Sequence, residues 1–183
     1  MPDQTKVVRF EEIALPHLNA AYNLARWLVH DDNEAEDIVQ EAYLRAFKFF
    51  GGYYGGDSRS WLLTIVRNTC YTWLKQNRVL RLAEPIDDKL DEVGVDESDP
   101  ETLLLQSVDA QMVRQALQEL PVEFREVVVL REMEGLSYKE IANVVNIPMG
   151  TVMSRLKRGR ARLHALLTKR MGKEASIALR RNV

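Results

Sequence analysis

Residues 135–163 read GLSYKEIANVVNIPMGTVMSRLKRGRARL, and this stretch predicts two helices joined by a short break. Ser137 begins a capping box, because its hydroxyl can accept a hydrogen bond from the Glu140 amide while the Glu140 carboxylate reaches back to the Ser137 amide. We expect the break at residues 146–147 and the start of the second helix at Pro148, since proline suits the first helical position. The stretch therefore has the spacing of a helix-turn-helix.

The second helix of this pair has two unlike faces. At about 100° per residue, Val152, Leu156 and Leu163 fall on one side, which we expect to pack inward. The opposite side and its flanks carry hydroxyls and cations, namely Thr151, Ser154, Arg155, Lys157, Arg158 and Arg160. In a DNA major groove a hydroxyl and a guanidinium can meet base edges while flanking cations meet phosphates. The alternative is an ordinary helix pair with a solvated cationic face, but the cap, break and proline together favour DNA binding.

Charge is distributed unevenly along the 183 residues, although the formal net charge is only −2. Residues 1–100 contain 11 Lys/Arg and 18 Asp/Glu, whereas residues 101–183 contain 14 and 9. This asymmetry indicates that the C-terminal part meets nucleic acid and that the N-terminal part meets something else.

Several classes of protein are disfavoured by what the chain contains. Its single cysteine, Cys70, allows no internal disulfide and fits a reducing compartment, and its apolar neighbours predict a buried core position. No apolar run reaches membrane-spanning length and no signal-peptide core is present, so we expect a cytoplasmic protein without membrane insertion. No phosphate-binding loop, metal-ligand cluster or Ser/His/Asp constellation occurs. We therefore expect no catalytic residue, metal, cofactor or small-molecule substrate.

Helical periodicity predicts an all-α chain of two small domains. Apolar residues recur at helical spacing over about 10–30, 34–50, 59–77, 102–120 and 122–133. Residues 84–101 are instead acidic and poor in large apolar side chains, which is typical of a linker, and Asp99-Pro100 can start the helix that follows. The predicted boundaries are a first domain at 1–80 with a loose tail over 1–9, an acidic linker at 81–101, a four-helix domain with the helix-turn-helix at 102–170, and a basic tail at 171–183 within a segment from about 168 that we expect to be disordered.

A glycine-rich loop and the helix after it carry a second candidate surface. Residues 51–58 read GGYYGGDS, and Tyr53 and Tyr54 are either part of a flexible connector or a stacking platform for an unpaired base. Ser58 can cap the next helix. Its polar stripe consists of Arg67, Asn68, Tyr71 and Lys75. The stripe can hold single-stranded DNA or be a solvated face, and the pattern alone does not decide between them.

Taken together, residues from about 12 to 167 resemble the extracytoplasmic-function sigma factors of bacteria, which are specificity subunits of RNA polymerase. The segment EDIVQEAYLRAF at 36–47 is similar to region 2.2 of that family. WLLTIVRN at 61–68 is similar to regions 2.3 to 2.4, and residues 120–167 are similar to region 4. Three such segments in order, with an acidic linker between them, are strongly specific.

The resemblance implies roles for matching positions. Asp37, Gln40 and Glu41 would dock on the clamp helices of the largest polymerase subunit. Asn68 and the loop tyrosines would hold a flipped base of the melted minus-10 element, with Arg67, Tyr71 and Lys75 beside them. Ser154 and Arg158 would read the minus-35 element. The implied partners are core RNA polymerase, promoter DNA and an anti-sigma factor, and the linker would run toward the RNA exit path.

Two departures from the family pattern and two rival functions accompany this interpretation. Met153 stands where many members have Lys or Arg, and Ser58 stands where many have an aromatic residue, which shifts the stacking role to Tyr53 or Tyr54. One rival is a stand-alone helix-turn-helix repressor or activator, which would bind a palindrome without polymerase. The other is an enzyme with an appended DNA-binding domain, which the lack of a catalytic constellation disfavours.

Overall fold

The computed structural model describes residues 4–83 and 102–181, and all regular structure within them is helical. The helices of the N-terminal half, which we define as residues 4–83, are α1 (Gln4–Ala14), α2 (Leu18–Val29), α3 (Asp32–Phe49) and α4 (Ser58–Ala83). The helices of the C-terminal half, residues 102–181, are α5 (Thr102–Gln118), α6 (Val122–Val128), α7 (Tyr138–Val145) and α8 (Met149–Arg181). The predicted all-α fold is confirmed, and so is the four-helix C-terminal domain.

The core of the N-terminal half forms where the apolar stripes of α2, α3 and α4 meet. Leu24, Ile38 and Val66 are buried there, one from each helix. Cys70 is fully buried beside them, as predicted, and burial raises the pKa of its thiol to about 12. The thiolate is therefore negligible near neutral pH, and the side chain acts as a small core residue.

The N-terminal segment differs from the prediction. Residues 1–9 were predicted to be a loose tail, whereas α1 begins at Gln4. The reason is Phe10, whose buried ring packs edge-on against Phe47 and Phe50 at centroid distances of 5.2 and 5.3 Å. The predicted helix over 10–30 is also interrupted, because a 3₁₀ turn at Leu15–His17 separates α1 from α2.

Two of the helix starts are capped by aspartate. Asp31 caps α3, since its side chain accepts a hydrogen bond from the Glu34 amide at 2.9 Å. The predicted cap of α4 is wrong by one residue. Asp57 accepts from the Ser60 amide at 3.0 Å, so Ser58 is the first residue of the helix and its cap is Asp57.

The helix-turn-helix forms as its sequence predicts. Ser137 and Glu140 make both hydrogen bonds of the capping box, and Asn146 ends α7 in the left-handed conformation with a φ of 56°. The start of α8 is shifted by one residue, because Pro148 precedes the helix and its carbonyl accepts from the amides of Thr151 and Val152.

The last helix is longer than predicted. The segment from about 168 was expected to be disordered, whereas α8 continues to Arg181, so that expectation is wrong. Arg170 ties this helix to α5 by hydrogen bonds to Gln115 and Glu119. Residues 173–179 are mostly good helix formers, which favours continuation of the helix.

The two halves pack against each other, which the sequence did not indicate. One buried cluster contains Leu28 and Val66 of the N-terminal half together with Leu117, Val127 and Leu130 of the C-terminal half. The predicted acidic linker and the Asp99-Pro100 helix start lie outside the described residues, so the domain boundaries stay a prediction.

Candidate nucleic-acid interface

The predicted minus-35 residues on α8 differ in their exposure to solvent. Ser154, Lys157 and Arg158 are exposed, opposite the buried Val152 and Leu156. The Ser154 hydroxyl donates to the Thr151 carbonyl at 3.0 Å, which leaves its oxygen able to accept from a donor on a base. Thr151 itself is half-buried at the start of this face.

The flanking arginines of α8 make contacts within the protein. Arg160 donates from Nε to the Glu132 carboxylate at 2.8 Å, and this hydrogen bond raises the pKa of Arg160. Both side chains of this pair are 49% exposed, so the ion pair is weak and a phosphate can compete for the arginine. Arg162 lies over the Phe124 ring at 5.0 Å from its centroid.

The polar stripe of α4 is only partly exposed. Asn68 and Lys75 face solvent, whereas Arg67 and Tyr71 are half-buried. The Arg67 guanidinium lies 4.0 Å from the Tyr71 ring centroid and donates from Nε to Glu126 at 2.8 Å. Burial lowers the pKa of Arg67, but the hydrogen bond and charge of Glu126 outweigh it and the net shift is upward.

The two loop tyrosines have different surroundings. Tyr53 stacks on Phe50 with a centroid distance of 5.9 Å, lies 4.8 Å from the Trp61 ring, and donates from its hydroxyl to the Gly56 carbonyl. Tyr54 is 96% exposed. Tyr53 therefore anchors the loop to the fold, whereas the Tyr54 ring can stack on an incoming base.

The predicted polymerase-binding residues share one exposed face of α3. Asp37, Gln40 and Glu41 are all exposed, on the side away from the buried Ile38 and Val39. Spacings of three and four bring their side chains together. Glu41 also pairs with Arg45, one turn further along the helix.

Sequence reasoning missed a carboxylate that connects the two predicted DNA-binding surfaces. Glu126 on α6 is fully buried. It binds Arg67 of α4 and Arg155 of α8, with the Arg155 nitrogen 3.4 Å from its carboxylate. The only signal in the sequence was the position of this carboxylate among the largely apolar residues 124–130. Its partners could not be found from the sequence, because they lie 59 and 29 residues away.

The neighbouring residue, Arg125, ties the halves together through main-chain carbonyls. Its guanidinium donates to Gln118 and Leu120 of the C-terminal half and to Leu28 at the end of α2. Burial lowers the pKa of Arg125 to about 10, so the side chain stays charged near neutral pH. Arg125 therefore donates hydrogen bonds to main-chain carbonyls at the C-terminal ends of two helices, where a positive charge is favourable.

Other kinds of site are not found in residues 4–83 and 102–181. These ranges contain no group of three or more His, Cys, Asp or Glu side chains placed to hold a metal ion. None of their helices is long and apolar enough to cross a membrane.

Comparison with known proteins gives a consistent result for both halves. The sigma-70 region 2 family model matches residues 13–79, and the sigma-70 region 4 model matches residues 110–163. The ECF RNA polymerase sigma factor SigE of Mycolicibacterium smegmatis is 33% identical over 176 residues, covering 96% of this chain and 68% of that protein. The RNA polymerase sigma-H factor of Pseudomonas aeruginosa is 34% identical over 162 residues, covering 82% of each.

A solved structure shows the same fold. The sigma factor RpoE from Bartonella quintana, in complex with the anti-sigma factor NepR, superposes with a TM-score of 0.73 at 28% identity. The match covers 87% of this chain and 97% of that one.

Proposed function

Because the chain belongs to the extracytoplasmic-function sigma factors and directs RNA polymerase to promoters, we propose that three separate surfaces divide this work. The exposed face of α3 binds core polymerase. Tyr54 of the glycine-rich loop and Asn68 of the α4 stripe hold the melted minus-10 strand. The outward face of α8 reads the minus-35 element.

The observation that carries this assignment is the exposure of Ser154 and Arg158 on a capped helix-turn-helix. Both lie one turn apart opposite the buried seam of Val152 and Leu156. A guanidinium so placed can give two hydrogen bonds to a guanine in the major groove. A repressor would share this feature but has no need of the polar patch that α3 exposes at Asp37, Gln40 and Glu41.

Strand opening is assigned to Asn68 and Tyr54. Both are exposed, whereas Tyr53 is held by Phe50 and Trp61. An amide can read the edge of an unpaired base, and a free aromatic ring can support its face. Catalysis of RNA synthesis belongs to the polymerase in this proposal.

We also assign an anti-sigma factor as a regulatory partner. The Bartonella quintana sigma factor with the same fold is bound to such a protein. The partner of this chain would have to keep the α3 face or the DNA-facing helices away from polymerase and promoter.

Promoter melting by reconstituted holoenzyme tests the strand-opening assignment. Asn68→Ala should reduce permanganate reactivity of minus-10 thymines on duplex promoter, because the flipped base loses its hydrogen-bond partner. A template with a pre-melted bubble should restore much of the signal. Gln76→Ala is the matched control, since Gln76 is an exposed amide two turns further along α4. Normal melting by Asn68→Ala would show that this residue does not capture the base.

A further inference from the structure

We propose that residues 10–17, the junction segment between α1 and α2, position the glycine-rich loop for strand opening by holding both of its ends. The inference rests on the proposed function, because it concerns the loop that carries Tyr54. It goes further by giving a part in strand opening to the end of α1 and the 3₁₀ turn after it, to which the proposed function assigns no role.

The start of the loop is held by an aromatic contact from the junction segment. Phe50, the residue that precedes the loop, is buried and packs edge-on against Phe10 at a centroid distance of 5.3 Å. The same Phe50 ring stacks on Tyr53 at 5.9 Å, with the two planes 14° apart. Phe10 therefore acts on Tyr53 through one intervening ring, and the position of Tyr53 constrains Tyr54, the next residue along the chain.

These rings belong to a hydrophobic cluster that is separate from the main core. Tyr53 and Trp61 pack against its buried members, which are Phe10, Ala14, Ala46, Phe50 and Leu62. The main core contains none of these five residues. The end of α1 is also pinned to α3, because the Tyr43 hydroxyl donates to the Ala14 carbonyl at 2.9 Å. A change at Phe10 can therefore alter the loop while the contacts of the main core remain.

The end of the loop is held by a hydrogen bond from the same junction segment. His17 is the last residue of the 3₁₀ turn, and its Nε2 lies 2.9 Å from the hydroxyl of Ser58, the first residue of α4. Burial, followed by the charge of Arg59, lowers the pKa of His17 against the opposing charge of Asp57. The imidazole is therefore neutral near neutral pH and shares a single proton with the hydroxyl.

The middle of the loop is open, so its arrangement depends on how its ends are held. Tyr54 is 96% exposed, and Gly55 and Gly56 have φ values of 99° and 98°. Glycine loses more conformational freedom on ordering than any other residue. A loop fixed at both ends has less freedom left to lose when a base stacks on Tyr54, so the cost of ordering it falls. The junction segment therefore favours the step in which the base is captured.

The experiment separates the affinity of the closed promoter complex from the rate of its isomerisation to the open complex. Holoenzyme reconstituted with the full chain is mixed with duplex promoter that carries a fluorescent base analogue in the minus-10 element. His17→Ala should slow isomerisation by about two- to tenfold, the range expected for one hydrogen bond, and leave closed-complex affinity unchanged. His17→Gln keeps a polar group within reach of Ser58 and should restore most of the rate. A wild-type rate for His17→Ala, or equal slowing by His17→Gln, overturns the proposal.

The aromatic contact is tested by a pair of matched substitutions. Phe10→Leu keeps an apolar side chain but removes the edge-on ring contacts, and should slow isomerisation by about two- to tenfold. Phe124→Leu is the control, since Phe10 and Phe124 are each 8% exposed and Phe124 lies on α6, away from this cluster. It should isomerise at the wild-type rate. Equal isomerisation rates of the two variants contradict the positioning role, and His17→Ala carries the test if Phe10→Leu does not fold.

A double substitution shows whether the junction segment acts through the loop. In a Tyr54→Ala background, His17→Ala should change the isomerisation rate by less than about twofold, because effects that pass through one residue are not additive. A full additional slowing would mean that His17 acts elsewhere. Failure of the proposed function is distinct, since Tyr54→Ala and Asn68→Ala would then melt the promoter normally. Failure of the positioning role alone leaves those two variants slow while His17→Ala and Phe10→Leu behave as wild type.

Discussion

Arg158 and Arg160 lie two residues apart on α8, and their different surroundings predict different roles. Arg158 is exposed on the face opposite the buried seam. Arg160 is turned toward Glu132 and shares its carboxylate. A base contact requires a fixed geometry in the groove, whereas a phosphate contact requires only a nearby positive charge. Their positions therefore separate sequence reading from general DNA affinity.

Arg158→Ala should flatten the preference of holoenzyme at particular minus-35 base pairs, because a bidentate guanine contact is worth about 1–3 kcal/mol of discrimination. Arg160→Ala should weaken binding about equally on all sequences and reduce its salt dependence. Both are measured on a panel of single-base promoter variants. A uniform loss across the panel for Arg158→Ala would make Arg158 a phosphate contact and remove it from base reading.

The exposure of a residue could be predicted from the sequence where it depends on local periodicity. The exposure of Ser154, Arg158 and Asn68 follows from their positions around a helix. The burial of Glu126 does not, because it depends on arginines from α4 and α8 that only the tertiary fold brings together. The different exposure of Tyr53 and Tyr54 likewise depends on which ring meets Phe50 and Trp61.

Among the helices, the start of α7 was predicted best, because a capping-box motif marks it in the sequence. The capping box of α7 is formed by residues three positions apart, so the sequence contains all the information needed. The start of α1 depends instead on Phe10 packing against α3. The extent of α8 depends partly on Arg170 reaching α5, and neither contact is local.

The packing of α8 on α6 depends on the absence of a side chain at Gly159. A Cβ at this position would lie 2.8 Å from Cγ2 of Val128 and 3.4 Å from Cβ of Phe124. Both neighbours are buried, and β-branched Val128 has little rotamer freedom. The close approach also sets the position of the side of α8 that is proposed to face DNA, since that side lies on the same helix.

Gly159→Ala should lower the free energy of unfolding by about 1–3 kcal/mol, because overpacking outweighs the gain in helix propensity of about 1 kcal/mol. Gly150→Ala is the matched control, since a Cβ there meets nothing within 4 Å on the same helix. It should leave stability unchanged or raise it slightly. Urea unfolding of both variants checks this, and a Gly159→Ala variant as stable as Gly150→Ala would show that α6 and α8 are not in close contact.

At the scale of the whole molecule, the structure combines exposed and sequestered parts of one function. The α3 face and the Ser154–Arg158 face, which are the surfaces proposed for polymerase and for the minus-35 element, are exposed to solvent. Arg67 and Arg155 are held between the halves by Glu126. Separation of the halves would part Arg67 from Glu126, whereas Arg155 and Glu126 lie in the same half and would not be parted by it.

Run-off transcription with purified core polymerase tests the central claim, that this chain supplies promoter specificity to the enzyme. Core polymerase alone should give no discrete transcript from a promoter preceding the genes that respond to this protein. Adding the protein should give one run-off product, and Asp37→Ala with Gln40→Ala should reduce it in a folded double variant by weakening the α3 contact with core. If the protein binds the promoter without polymerase and yields no run-off transcript with it, the chain acts as a stand-alone regulator and the account is contradicted.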